Sequence, residues 1–486
     1  MLTYSFEGVT GPLYEHLYRC LKKDIESGRL AAGERLPSKR AFAKNLGVST
    51  ITVEGAYGQL ALEGYIHSEP KRGFFVEAIG GRPAKPAPVS AAPLALSAAP
   101  AASPAAESLL ETRADMRADM RADASAPRFE LSGNHTDPEC FPFSVWSKLM
   151  RETAGDRRTL VSRCPAGGLP ELRRAIARHL AAFRGFAPDP AQIIVGAGSE
   201  YLYGLAVQLL GRDKGYCLEN PGYRTVARVY QSCGAQVCYA GMDESGMRIE
   251  ELRASGASIA HVSPTHHFPT GINMPAARRY ELLAWASETP RRFVIEDDYD
   301  SEFRLEGRPI PALQSIDTEG RVIYMNTFSK TLASTVRLAY MVLPASLLPR
   351  FQERLGFLAC TVSSFEQLAV ARFIERGFFE KHINRMRTHY GRQRAEVLRL
   401  IAEGPLAGRC RVAENHSGLH FVIELETQLP DTELEKKLLE RGVRLVPLSA
   451  YYAGGRAPKE HAFLFSYSNI DLATLPEALG IIAKSL

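Results

Sequence analysis

The sequence predicts a multi-domain protein that joins a small α+β unit to a large α/β unit with a mostly parallel sheet. Two observations lead to this prediction. A stretch rich in Ala, Pro and Ser, without Tyr, Phe or Trp, covers about residues 78–127 and divides the chain. After this stretch, short apolar runs alternate with helical patterns, as strands and helices do in a parallel α/β sheet.

Length, charge and cysteine content exclude several classes of protein. The chain has 486 residues, which is enough for about three folding units. Its 59 Lys and Arg against 54 Asp and Glu give a net charge of +5, so a histone-like polycation is excluded and a DNA contact needs a local basic patch. The eight cysteines contain no CxxC pair, and we therefore predict neither a metal site nor a disulfide framework.

The chain carries no pattern for export or membrane insertion. Its first residues lack a basic leader followed by an apolar run. No uninterrupted apolar run reaches the roughly 20 residues of a membrane helix. We therefore expect a cytoplasmic protein without a membrane partner.

The pattern of residues 1–77 predicts three helices followed by a two-stranded hairpin. Leu13, Leu17 and Leu21 lie four apart and form an apolar stripe on the first helix. Ser38 and Ser49 occupy N-cap positions of the second and third helices. Such a unit is typical of a winged helix-turn-helix, whose third helix enters the major groove of DNA.

A modest basic patch lies in the second half of this unit. Between residues 35 and 72, six basic residues against three acidic ones give a local charge of +3. Lysine and arginine suit phosphates, whereas Thr50 and Thr52 suit base edges or sugar–phosphate oxygens. Ordinary surface charge on a three-helix unit is the alternative interpretation. The six basic residues are Arg35, Lys39, Arg40, Lys44, Lys71 and Arg72.

In the large unit, Lys330 ends the segment TFSK directly after an apolar run. Ligands of parallel sheets bind beyond the carboxyl ends of the strands. A lone lysine is usually a solvated surface charge, but Thr327, Ser329 and Arg337 suit a phosphate beside this one. The turn GAGSE at residues 196–200 opens a helix and offers free N–H groups to a phosphate. Lys330 is therefore a candidate Schiff-base nucleophile for an aldehyde cofactor.

Three further residues suit the ring of such a cofactor. Asp297 is the last residue of the predicted strand FVIED and is placed to pair with a protonated pyridine nitrogen. Tyr299 lies two residues further, within reach of a phenolic oxygen, and Tyr223 in NPGY could lie on the ring face. The alternatives are a loop carboxylate for Asp297 and an ordinary core position for Tyr223.

The N-terminal unit closely resembles the winged helix of the GntR family. The motifs are P-L-Y, G-R-L-x-x-G-E-R-L-P-S-x-R, L-G-V-S-x-x-T-V and G-x-F-V. The family often has Arg where this chain has Thr50, which implies a different operator. The resemblance implies that Arg35, Ser38 and Arg40 meet phosphates, that Thr50 and Thr52 enter the recognition groove, and that Gly73 forms the tip of a wing flanked by Lys71 and Arg72.

From about residue 129 to 486, the chain resembles the fold-type I aminotransferases. Five segments occur in the order of that group: the Gly-rich turn, PGY, SPTHHFPTG, DDYDSEF and TFSK. Fusion to a GntR-type head is the architecture of the MocR subfamily. The resemblance implies pyridoxal 5'-phosphate (PLP) as cofactor, with Lys330 in the internal aldimine. The other cofactor-binding residues that it implies are Asp297, Tyr299, Tyr223, Gly198, Ser199, Thr327, Ser329, Arg337 and His267, the last in place of the Gln common in the subfamily.

One departure concerns the arginine that grips the substrate carboxylate in aminotransferases. Its place falls around Phe463 and Leu464, where this chain has no Arg. Arg444 and His420 are candidate substitutes, and either could equally be structural.

The resemblance implies a PLP-dependent transcriptional regulator that binds a double-stranded DNA operator and senses a small amino compound by aldimine exchange at Lys330. A head-to-tail homodimer is expected. The expected domains are a DNA-binding head at 1–77, a flexible linker at 78–127 and a PLP-binding body at 128–486, with a small subdomain mainly at about 375–486. Two alternatives stay open: an active PLP-dependent aminotransferase with a DNA-binding appendage, and a DNA-binding regulator whose body no longer binds PLP.

Overall fold

The computed structural model describes residues 2–6, 8–79, 127–133, 136–305, 310–413, 418–454 and 460–486. Most of the predicted linker at 78–127 lies outside the described residues. None of the helices in the described part is both long and apolar enough to cross a membrane.

The N-terminal unit, called the head below, has the predicted three helices and hairpin. Its elements are α1 (Leu13–Glu26), α2 (Lys39–Leu46), α3 (Thr50–Leu62), β1 (Ile66–Glu69) and β2 (Gly73–Val76). The two strands pair antiparallel. Ser38 caps α2 by accepting the N–H of Ala41, and Ser49 caps α3 by accepting the N–H of Thr52. The caps and the wing confirm the winged-helix prediction.

The remaining part, called the body, begins with a large α/β lobe. Its helices are α4 (Phe143–Thr153), α5 (Arg157–Val161), α6 (Pro170–Phe183), α7 (Ser199–Leu210), α8 (Arg224–Ser232), α9 (Ile249–Ala254), α10 (Ala276–Ser287), α11 (Leu348–Leu355), α12 (Ser364–Glu375) and α13 (Phe378–Glu403). The strands up to residue 342 are β3 (Phe129–Glu130), β4 (Ile193–Gly196), β5 (Gly215–Asn220), β6 (Gln236–Asp243), β7 (Gly246–Met247), β8 (Ile259–Val262), β9 (Phe293–Asp297), β10 (Val322–Thr327) and β11 (Ala339–Val342).

Eight of these strands form one sheet in the order β4-β11-β10-β9-β8-β5-β6-β7. The five strands from β10 to β6 are parallel neighbours, whereas β11 runs antiparallel to β10 and β4. The predicted mostly parallel sheet is therefore confirmed. Register pairs Met325 with Asp297, which brings the carboxyl ends of β9 and β10 together.

Helices cover both faces of this sheet. On β10, Ile323 and Met325 pack with buried residues of α7 and α8, whereas Tyr324 packs with α6 on the opposite face. Strands that are buried on both faces appear in sequence as continuous apolar runs. This explains why the strands were recognisable without an alternating pattern.

The C-terminal lobe contains an antiparallel sheet in the order β12-β13-β16-β15. Its elements are β12 (Cys410–Ala413), β13 (His420–Leu425), α14 (Asp431–Glu440), β14 (Val443–Arg444), β15 (Val446–Pro447), β16 (Ala462–Ser466) and α15 (Leu475–Ala483). Strand β14 pairs with β3, so residues from the start of the body complete this lobe. The small subdomain expected mainly at about 375–486 does not include the residues of β3.

In the described residues of the body, six short 3-10 turns connect the helices and strands. The turns are Pro138–Cys140, Pro190–Gln192, Ser301–Phe303, Leu313–Ile316, Ala345–Leu347 and Leu448–Tyr451.

The head packs against the amino-terminal end of α10 in the body. The backbone N–H of Ala276 donates to the carbonyl of Glu63 over 2.9 Å. Gly64 has a φ of +73°, and a Cβ there would lie 2.6 Å from the Cβ of Pro275. Glycine is therefore required at the closest approach of the two units.

A second contact joins α10 to α1. The hydroxyls of Tyr280 and Tyr65 both donate to Oε1 of Glu26 over 2.9 Å. Ala276 and Tyr280 are buried in the same apolar cluster as Leu60 of the head. Hydrogen bonds and a shared apolar core therefore hold head and body together.

Candidate functional site

The predicted DNA-binding residues lie at the start of α2, at the start of α3 and on the wing. Thr52 and Gly73 are half-buried, and the remaining members of the set are exposed. A Cβ on Gly73 would lie 3.6 Å from Nε of Arg35, so the loop before α2 touches the wing. The six exposed residues are Arg35, Ser38, Arg40, Thr50, Lys71 and Arg72.

Two of the basic residues in this region are already paired. Lys39 lies 2.6 Å from Glu54, and Arg72 pairs with Glu69. Surface ion pairs are worth little, so a phosphate can compete for both cations.

The sequence reasoning missed Ile51, whose side chain is 79% exposed on α3 between two candidate threonines. An apolar side chain in this position suits the methyl group of thymine in the major groove. The signal was present, because Val53, Tyr57 and Leu60 define the buried stripe of α3 and leave Ile51 outside it.

In the body, Lys330 lies just beyond the carboxyl end of β10. The residue is partly exposed to solvent. Burial of its amine lowers the pKa of Lys330 to about 8, and the negative charge of Asp300 opposes this shift. A lysine with a lowered pKa has a larger neutral, nucleophilic fraction at neutral pH.

Asp297 ends β9 and is buried. The hydroxyl of Tyr203 donates to its Oδ2 over 2.5 Å, and Nε2 of His261 lies 3.4 Å from the same oxygen. The other ring nitrogen of His261, Nδ1, lies 2.7 Å from the hydroxyl of Tyr230. Burial holds the pKa of Tyr203 well above its usual range, so the phenol stays protonated and donates.

Sequence reasoning did not find these three supporting residues. Tyr203, His261 and Tyr230 belong to α7, β8 and α8, and no local motif marks any of them. The fold alone brings them to Asp297.

Three of the predicted phosphate-binding residues, Gly198, Ser199 and Arg337, lie at the amino-terminal end of α7. Gly198 has a φ of +89°, and a Cβ there would clash with the guanidinium of Arg337. Arg337 lies 2.7 Å from Glu200 and half of its side chain is exposed. Ser199 begins α7. A helix amino terminus and a nearby guanidinium both suit an anion.

Thr327 is the last residue of β10, and Ser329 follows the strand next to Lys330. Their hydroxyls are 2.9 Å apart, and the N–H of Ser329 donates to Oγ1 of Thr327 over 3.2 Å. Ser329 is one position and Thr327 three positions from the lysine.

The hydroxyl of Tyr299 already has a hydrogen-bond partner within the protein. The hydroxyl donates to the carbonyl of His266 over 3.0 Å. Nδ1 of His266 in turn lies 2.7 Å from Oδ2 of Asp300. His266 has a φ of +61°, a backbone conformation that costs energy and persists only when its surroundings fix it.

His267 is buried between two polar partners. Its Nδ1 lies 2.8 Å from the hydroxyl of Thr270, and its Nε2 lies 3.4 Å from Glu219. Burial lowers the pKa of His267 to about 3 and raises the pKa of Glu219 to about 8. At neutral pH the imidazole is uncharged and the carboxyl is mostly protonated.

The predicted stacking residue, Tyr223, lies on an aromatic rim. Its side chain is 49% exposed. It meets Phe268 edge-on at 5.9 Å, and Phe268 meets Tyr451 at 5.2 Å. The exposed face of Tyr223 is available to a planar ligand.

The place expected for a carboxylate-binding arginine is apolar. Phe463 and Leu464 are buried in β16. Burial holds the pKa of His420 well below its usual range, so this histidine is neutral and supplies no charge to a carboxylate. Nε of Arg444 lies 3.7 Å from Glu130. His420 is therefore a poor substitute, and Arg444 already has an acidic neighbour.

Comparison with known proteins gives the same two units. Residues 13–76 match the family of bacterial regulatory proteins called gntR, and residues 131–482 match aminotransferase class I and II. The uncharacterized HTH-type transcriptional regulator YhdI of Bacillus subtilis is 37% identical over 91% of this chain and 89% of its own. The probable rhizopine catabolism regulatory protein MocR of Rhizobium meliloti is 31% identical over 98% and 94%.

A solved structure supports the fold of the body. An archaeal alanine:glyoxylate aminotransferase is 25% identical and superposes with a TM-score of 0.67, covering 76% of this chain and 94% of that one. Fold and relatives together define the class, a helix-turn-helix regulator with an aminotransferase-like body. The chain belongs to the MocR subfamily of the GntR regulators.

Proposed function

We propose that this regulator binds pyridoxal 5'-phosphate at Lys330, senses a small amino compound there, and reads a double-stranded DNA operator with its head. The observation that carries the proposal is the convergence of three groups. These are a lysine with a lowered pKa, a buried carboxylate at the next strand end, and an anion-binding helix terminus.

The residues fit each part of the cofactor. Gly198 and Ser199 at the start of α7, with Arg337, suit its phosphate. Asp297 suits the ring nitrogen, because Tyr203 and His261 hold the carboxylate in one orientation. Thr327 and Ser329 are the further phosphate-binding candidates, and Tyr299, Tyr223 and His267 remain candidates for the ring.

When bound, PLP supplies an aldehyde that reacts reversibly with primary amines. Lys330 provides the resident amine, and its lowered pKa favours the neutral form that reacts. Asp297 would keep a proton on the ring nitrogen, since a carboxylate stabilises the protonated pyridine. An effector amine would displace Lys330, and the released side chain would regain its charge beside Asp300.

Arg279 on α10 supports a connection between this site and the head. Its guanidinium is buried and donates to the carbonyls of Pro264, Met274 and Pro311. It also contacts Oγ1 of Thr265 over 3.3 Å. The segment that leads into His266 and His267 is thus tied to the helix on which the head docks.

An effector shifts DNA binding only if it binds two conformations of the protein with different affinity. We propose that displacement of Lys330 changes the segment around residues 264–268, and that α10 transmits this change to the head. A head-to-tail homodimer in the cytoplasm would present two heads to two operator half-sites.

Absorbance titration of the full-length protein with PLP tests the proposal. The wild type should develop a visible band that borohydride fixes to Lys330 and that a primary amine shifts. Lys330→Ala should lose the fixed adduct, whereas Lys436→Ala, an exposed position on α14, should behave as wild type. A colourless wild type, or an adduct that persists in Lys330→Ala, would contradict the proposal. Sustained keto-acid production would instead identify an aminotransferase.

A further inference from the structure

A pair of partly exposed cysteines lies behind the phosphate turn at residues 196–200. Cys164 lies before α6 and Cys360 before α12. Nε2 of the buried Gln367 lies 3.4 Å from Sγ of Cys164 and 3.5 Å from Sγ of Cys360. Because one nitrogen contacts both sulfurs, the two thiols share a hydrogen-bond partner and lie on the same side of Gln367 in the same pocket of the fold.

The two thiols differ in reactivity. The hydrogen bond from Cys360 lowers the pKa of Cys164 to about 6 against the effect of burial, with help from Gln367 and Ser364. The same interaction and burial raise the pKa of Cys360. Cys164 therefore has the larger thiolate fraction of the two, and the thiolate is the reactive form.

A second cysteine pair provides an internal comparison. Cys217 and Cys238 are register partners and lie side by side on β5 and β6. Cys217 has no exposed surface, so a dissolved oxidant has poor access to that pair. Both members of the Cys164–Cys360 pair, by contrast, are partly exposed.

The exposed pair touches the backbone that forms the phosphate turn. Sγ of Cys360 lies 3.5 Å from the carbonyl oxygen of Val195, and Oγ1 of Thr361 accepts the N–H of Ala197 over 3.1 Å. Val195 and Ala197 flank the first glycine of the turn. A change in the position of Cys360 therefore acts directly on residues 195–197.

We propose that Cys164 and Cys360 are a modification site, where a peroxide forms a reversible disulfide that loosens the phosphate turn. Formation of the disulfide does not depend on the proposed function, whereas its effect on cofactor binding rests on that function.

The reaction balances in two steps. The Cys164 thiolate attacks one peroxide oxygen, the O–O bond breaks, a sulfenic acid forms, and the second oxygen leaves as hydroxide that takes up a proton to become water. The Cys360 thiol then attacks the sulfenic sulfur, forming the S–S bond and releasing a second water. Two thiols lose two electrons in total, and the peroxide accepts them.

Peptide mapping of the full-length protein after hydrogen peroxide tests the disulfide. A linked Cys164–Cys360 peptide should form in wild type and in the control Cys410→Ser, disappear with dithiothreitol, and be absent in Cys164→Ser and Cys360→Ser. The proposal is overturned if Cys410 oxidises before this pair, or if Cys164 is driven to sulfinic acid without any linked peptide. This readout needs no cofactor, so it is independent of the proposed function.

Cofactor affinity tests the second half of the proposal. The PLP dissociation constant should rise about two- to tenfold on oxidation, the effect of losing one hydrogen bond, and return with dithiothreitol. In Cys360→Ser, peroxide should leave the constant unchanged. An unchanged constant in fully disulfide-bonded wild type would refute the link to the phosphate turn.

Discussion

The DNA-binding edge and the Lys330 site are built in opposite ways. The edge comes from residues 35–52 and 71–73, and most of its side chains are exposed. The Lys330 site draws on residues between 198 and 337, and its main supports, Asp297 and His261, are buried. Charge at the edge is therefore screened by salt, whereas charge at the buried site is not.

This difference predicts where substitutions act strongly. Removing one partner of a buried charged group leaves the other without compensation. Removing an exposed cation costs little and mainly changes salt dependence. Under the proposal the two regions are linked through α10, whose Ala276 and Tyr280 contact the head.

The largest effect is expected at Asp297. Asp297→Asn removes the charge that stabilises a protonated ring nitrogen, so PLP affinity should fall by roughly 10- to 100-fold, the worth of a hydrogen bond to a charged group. Absorbance titration measures this, with Asp213→Asn, which changes an exposed carboxylate, as control. Equal affinities for Asp297→Asn and wild type would mean that the buried site does not hold the ring.

A second prediction concerns pH and the cofactor-free protein. Folding lowers the pKa of Lys330 from 10.5 to about 8, so between these values the unfolded chain binds more protons than the folded one. The free energy of unfolding should therefore rise with pH over this window, by about 2–3 kcal/mol. Below pH 8 this gain is absent.

Urea unfolding at pH 7, 8, 9 and 10 measures the effect. Lys330→Met should remove the rise, whereas Lys436→Met should keep it. Identical pH profiles for wild type and Lys330→Met would show that the lysine is not desolvated.

In the DNA-binding region of the head, two substitutions should change different properties of DNA binding, namely its salt dependence and its base preference. Arg40→Ala should weaken binding to all sequences several-fold and reduce the salt slope by about one. Ile51→Ala should leave the slope unchanged and relax the preference for thymine by about 1 kcal/mol at one position. Fluorescence anisotropy on paired operators over a range of salt separates the two, and equal salt slopes for Arg40→Ala and wild type would remove Arg40 from the phosphate contacts.

The smallest effect is expected at the docking contact. Tyr280→Phe removes one hydrogen bond to Glu26, so hydrogen exchange of the Ala276 N–H should accelerate about two- to tenfold. Tyr239→Phe, an exposed tyrosine on β6, should have no effect. Unchanged exchange in Tyr280→Phe would show that this contact does not hold the head.

Local chemistry explains which parts were predictable from sequence. Ser38 and Ser49 act through N–H groups three positions away, so their caps were predictable. Lys330 and Asp297 end apolar runs and were equally accessible to prediction. Their supports were not, because Tyr203 and His261 reach Asp297 only after α7 and β8 have packed.

Arg278 and Arg279 show the same limit in adjacent positions. Arg278 pairs with Asp243 over 2.8 Å and keeps some exposure, whereas Arg279 is buried and donates to three carbonyls. Nothing in the sequence AARRYELL distinguishes them. The difference arises from the Pro311 loop and the docked head.

Thermodynamic linkage between the two regions tests the central claim most directly. The affinity of the PLP-loaded protein for its upstream DNA should be measured by anisotropy without and with an amine that shifts the visible band. The account predicts that this amine changes the DNA dissociation constant, and that the DNA changes the affinity for the amine by the same factor. An amine that saturates the spectral change while DNA affinity stays constant would contradict it.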